Sequence, residues 1–169
     1  MSRTALLDEF FRIFQTMTVV NGYNFTYETY KGDYTKNNGT AGIGKKYERD
    51  DEDNLVLLPK ISVAFGNETN NNGTTSLYED IVPVSIRVKI NMASYKLDEI
   101  GAVEEYTRAK VLDDVKKCFA FPNVFLSSVP IVMFQYMGEQ EIDFALEKDD
   151  KTNLYVWAEF LLTYRTERT

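Results

Sequence analysis

The sequence predicts an α+β fold. It comprises a mostly antiparallel β-sheet of five to six strands, covered by an N-terminal helix and a long central helix, in the order α-β-β-β-α-β-β-β. Three observations lead there. In the stretch Ile81–Met92, the positions Val82, Val84, Ile86, Val88, Ile90 and Met92 are all apolar, while Ser85, Arg87, Lys89 and Asn91 between them are polar. Strand side chains point to opposite faces with period two, so this is a long strand with one oily and one wet face. A helical pattern, roughly Asp98–Phe119, follows directly and can roof the oily face. The chain then closes on alternating runs joined by hairpin-length links.

Residues 4–18 space Leu7, Phe10, Phe11, Phe14 and Met17 as one apolar helix stripe, with Asp8 and Arg12 one turn apart on its wet side. An aromatic stripe of this kind reads as a core face before a partner face. Asn21-Gly22 is a turn signal, and Tyr23, Phe25, Tyr27 and Thr29 alternate as a first strand. Residues 31–54 show no periodicity and hold the run Arg49-Asp50-Asp51-Glu52-Asp53. So long a loop is uncommon inside a compact domain and reads either as an arm that orders against a neighbour or as an insertion.

Leu55–Leu58 and Lys60–Phe65 form strands split by Pro59, and residues 66–76 are a second polar loop. Pro83 is expected where the ladder has not yet formed, or on a rim. The central helix carries Ile100, Val103, Val111, Val115 and Phe119, widened by Tyr106, Ala109 and Leu112. Asp98 is its candidate N-cap, Lys116 and Lys117 suit its C-terminal end, and Pro122 stops it. Ile131–Met137, Glu141–Glu147 and Leu154–Tyr164 are the last strands. The last has an apolar face and a second face with Tyr155, Trp157 and Leu161. A face that aromatic needs cover, from a second layer or from another subunit.

Composition narrows the function classes. A chain of 169 residues suits one domain, here 1–169 with long loops at 31–54 and 66–76. The formal charge of −7 disfavours broad adhesion to nucleic acid or anionic lipid, yet suits a wall past which DNA slides. The absence of histidine removes the commonest general base and transition-metal ligand. Cys118 is the single cysteine, so no internal disulfide forms, and it reads as a buried, inert thiol. The start leads into a charged helix rather than an apolar signal core, and no apolar run approaches the ~20 residues of a membrane span. A soluble intracellular product is expected.

Several motifs weaken on inspection. Gly39-Thr40-Ala41-Gly42-Ile43-Gly44-Lys45-Lys46 follows the phosphate-loop pattern except at its last position, where Lys46 replaces the Ser or Thr that holds Mg²⁺. No helical stripe follows it, only repelling negative charge. The acidic runs at 50–53 and 149–150 lack calcium-loop spacing and read as solvated charge. Four glycosylation sequons, beginning at Asn24, Asn38, Asn67 and Asn72, fall in Asn- and Thr-rich stretches without a secretion signal. No catalytic, cofactor-binding or metal-binding residue is assigned.

The layout resembles the tail terminator, or tail-completion, proteins of long-tailed bacteriophages. The features are Leu6-Leu7 and Phe10-Phe11 in the first helix, Gly22-Tyr23, and Leu58-Pro59-Lys60-Ile61-Ser62-Val63. The strand Val84–Ile90, the helix end Val111-Leu112-Asp113-Asp114-Val115 and the strand Ala158–Tyr164 complete them. The resemblance implies a non-enzymatic virion protein at the tail–neck junction, assembled in the host cytoplasm. It implies a ring, typically hexameric, that stops tube polymerisation, contacts the tail tube protein and the head-side connector (and in some tails the sheath), and lets DNA pass. The candidate subunit or partner contacts are Tyr34, Lys45, Lys46, Tyr47, Asp50, Asp51 and Asp53 in the long loop, and Tyr155 and Trp157 on the last strand. The 31–54 loop is long for that family. A tube or head–tail joining subunit of the same particle is a related reading. A carbohydrate-binding β-rich module using Tyr34, Tyr47 and Trp157 is the rival of a different class, and an enzyme comes third.

Overall fold

The computed structural model describes residues 3–30, 47–49, 55–57, 59–71, 77–91, 100–120, 125, 131–140 and 153–167. The fold is α+β. Helix α1 spans Arg3–Phe14, β1 Glu28–Thr29, β2 Tyr47–Arg49, β3 Leu55–Leu57, β4 Lys60–Phe65, β5 Thr69–Asn71 and β6 Leu77–Asn91. Helix α2 spans Ile100–Cys118, β7 Ile131–Glu139 and β8 Asn153–Glu167. The main sheet runs β1-β4-β6-β8-β7, with β5 also pairing β6. Its pairs are antiparallel except β1 with β4. Strands β2 and β3 form a separate antiparallel pair.

The expected order of strands changes in three places. The run 23–29 yields only the two residues of β1, because Tyr27 N–H donates to Met17 O and the chain before it turns around the helix end. The loop at 31–54 contains β2, and the loop at 66–76 contains β5. Neither short strand has an apolar alternation to announce it; partners across the ladder define both. The expected strand 141–147, the N-cap Asp98 and the stop Pro122 lie outside the described residues.

Strands β6 and β8 are the spine. Each has fifteen residues, and they pair without a break from Leu77↔Glu167 to Asn91↔Asn153. One shared face carries Val82, Val84, Ile86, Val88 and Ile90 against Leu162, Phe160, Ala158, Val156 and Leu154, all buried. Both helices contribute to this core. Phe10 of α1 lies 5.5–6.2 Å from the rings of Phe14, Phe65, Phe119, Phe125 and Phe134. Phe134 stacks on Phe160 at 4.5 Å. Burial of so much apolar and aromatic surface is the main favourable term in folding.

Both helix stripes differ from the simple pattern. In α1 the buried set is Leu6, Phe10, Ile13 and Phe14, with Leu7 and Phe11 only half-buried. Phe10, Phe14 and Met17 are buried as the spacing predicts, and packing turns the flank of Leu6 and Ile13 inward instead of that of Leu7 and Phe11. Arg12 pairs with Glu9, which is itself buried, instead of the expected Asp8. Among the described side chains of α2 the buried ones are Thr107, Val111, Asp114, Val115 and Cys118, whereas Tyr106 is 71% exposed and Ala109 is exposed; the side chains of Ile100 and Val103 lie outside the described ones. Polar Thr107 and Asp114 occupy places that an apolar count assigns outward.

Asp114 explains part of that shift. Its carboxylate accepts from Asn24 N–H at 3.0 Å, Asn24 Nδ2 at 2.9 Å and Tyr27 Oη at 2.8 Å. Those bonds tie the turn after α1 to the C-terminal part of α2. The turn itself is closed by Gly22 at φ +87°, whose N–H donates to Val19 O, while Lys117 Nζ donates to Gly22 O at 2.7 Å.

Pro83 lies inside β6, at the gap where β4 has ended at Val84 and β5 begins at Ile81. Gly66 N–H donates to Pro83 O at 2.8 Å. The missing proline donor therefore faces the crossing between two short partners and interrupts no ladder bond.

Candidate functional site

The second face of the spine holds the residues with the most distinctive chemistry. Its side chains come from the odd positions of β6 and β8 and from β4. Register sets them in rows. Lys60 stands opposite Lys89, and Lys89 opposite Tyr155. Ser62 stands opposite Arg87, and Arg87 opposite Trp157. Ser85 stands opposite Glu159. Alternation alone builds this row pattern, because every second residue of each strand must share the face.

Cations lie on rings along these rows. Lys60 Nζ sits 4.1 Å from the Tyr30 ring centre, Arg87 Cζ 4.2 Å from that of Trp157, and Lys89 Nζ 5.5 Å from that of Tyr155. A ring face carries partial negative charge, so each stack is attractive, and more so away from water. Arg87 Nε also donates to Ser85 Oγ at 3.2 Å.

The face is dry. Lys60 and Lys89 are each 1% exposed, Tyr155 4% and Trp157 7%. On the expected wet side of the long strand, Ser85 and Lys89 are buried and Arg87 half-buried. A single copy of the chain already encloses Tyr155 and Trp157. Two lysines opposite each other repel, and each ammonium loses hydration. Aromatic faces offset part of that cost for both.

The predicted contact residues divide sharply. Tyr34, Lys45, Lys46, Asp50, Asp51 and Asp53 lie outside the described residues. Tyr47 opens β2, where its backbone pairs with Leu57. Tyr155 and Trp157 come together on the face just described, buried rather than presented. Lys60, Arg87, Lys89 and Tyr30 belong to the same cluster and were not singled out from the sequence. The signal was present: two neighbouring strands, one with alternating cations and one with alternating aromatics, must interleave once paired.

Elsewhere a buried thiol and several phenols are held in their neutral forms. Burial pushes the Cys118 thiol well up, with the Asp114 carboxylate adding to it, so the thiolate is suppressed. Burial, then Asp114, raises Tyr27 far above the ordinary phenol range. Tyr164 is raised by burial and by its hydrogen bond to Glu68. None of these is poised as a base near neutral pH. Among the described residues no group of three or more Cys, Asp or Glu side chains is placed to hold a metal ion. Among them, too, no helix is long and apolar enough to cross a membrane.

No protein-family model matches the chain, and no curated protein matches it.

Proposed function

We propose that the protein is a structural subunit of a phage particle. It closes the end of the tail tube as a ring, typically of six copies, stops tube growth and joins the tail to the head-side connector. DNA passes through the opening without specific binding. The reading rests on one observation, the layout of the chain. An aromatic-rich amphipathic helix comes first, then a long alternating strand, a long helix, and a long closing strand ending Phe160-Leu161-Leu162-Thr163-Tyr164.

Further features support it. The chain is acidic, at −7, which suits a surface that DNA must pass without sticking. The described residues devote their chemistry to packing: stacked cations, a buried carboxylate hub and suppressed thiol and phenol groups. The carbohydrate-binding alternative loses Trp157 as a sugar platform, because Arg87 stacks on the ring and the residue is buried. Sugar-binding aromatics must offer a face to solvent. The partners on this reading are further copies of the chain, the tail tube protein, the connector and, in a contractile tail, the sheath.

Electron microscopy tests it. The purified protein, alone and mixed with preassembled tail tubes, is expected to give discs with a central hole or caps on tube ends. Long open tubes of this protein by itself would make it a tube subunit instead. Monomers in both samples, with bare tube ends, would overturn the ring reading.

A further inference from the structure

We draw no further inference here: the strongest candidate, the exposed apolar rim of Val132, Met133 and Met137 on β7, the outermost strand of the main sheet among the described residues, is interrupted by two register bulges, and nothing in the structure shows what covers it.

Discussion

The two faces of the β6–β8 ribbon share a backbone and a register, yet are held by different physics. One face is apolar throughout, and Val88 meets Val156 while Val84 meets Phe160. The other sets Arg87 against Trp157 and Lys89 against Tyr155. The first is buried throughout, and on the second Lys89, Tyr155 and Trp157 are buried while Arg87 is half-buried. The difference teaches that polarity in an alternating strand reports chemistry, not exposure. A polar face becomes an interior layer when rings can take the cations. The apolar face is non-directional and tolerates conservative exchange, whereas the cation–ring face depends on each side chain reaching its partner.

The largest expected effect tests the apolar side. Phe10→Ala removes the ring that meets five others and should cost about 3–5 kcal/mol, read by denaturant unfolding. A loss under about 1 kcal/mol would mean that the two faces contribute differently from this account.

Next comes the Asp114 hub on α2. Asp114→Ala leaves the donors of Asn24 and Tyr27 without their acceptor and should cost about 2–3 kcal/mol. The same site sets a pH dependence. The folded chain holds the Tyr27 proton more tightly than the unfolded chain does. The corresponding stability is complete below the ordinary phenol pKa of about 10 and is lost as pH rises beyond it. Tyr27→Phe should therefore flatten the fall in Tm above about pH 10, with Tyr23, Tyr136 and Tyr164 leaving a residual slope. An unchanged alkaline slope would remove Tyr27 from the explanation.

On the second face, Arg87→Ala should cost about 1 kcal/mol through the lost stack on Trp157, and Trp157 fluorescence should shift as its environment changes. If Arg87→Ala is as damaging as Phe10→Ala, the contrast between the faces collapses. The smallest effect belongs at the rim. Glu79 and Arg165 pair across the ladder at 3.7 Å with both side chains substantially exposed, so Glu79→Gln should change stability by less than about 1 kcal/mol. Cys118 supplies a simple control. Its buried thiol should resist a thiol reagent in the native protein and react on unfolding.

Much of the architecture was legible because period carries through to packing. The alternation from Val82 to Ile90 marked β6 and its core face, and the run from Leu154 to Tyr164 marked β8. The three-four spacing located both helices and the centres of their buried stripes, Phe10 and Phe14 in the first and Val111 and Val115 in the second, but not the stripes' edges. Leu7 and Phe11 yielded to Leu6 and Ile13 because the two pairs flank the same Phe10–Phe14 arc on opposite sides, and spacing does not choose between the flanks. Strands β2 and β5 were illegible for another reason: Tyr47-Glu48-Arg49 and Thr69-Asn70-Asn71 have no apolar period, and only pairing partners make them strands. The site was half legible. Tyr155 and Trp157 stood out as aromatics, but Arg87 and Lys89 looked like ordinary solvent-side charge until register placed them beneath those rings.

By itself, the order of residues determined the α+β class, the long central strand and helix, the lack of any internal disulfide and the acidic balance. Each depends on local period, composition or total charge, quantities that one chain carries before it folds. Tertiary structure alone decided which helix stripe turned inward, that Asp114 would anchor the first turn, and that Lys60 and Lys89 would lie out of water. Those outcomes depend on contacts between residues far apart in the chain, and a buried charge or carboxylate is tolerable only once its distant partners have arrived.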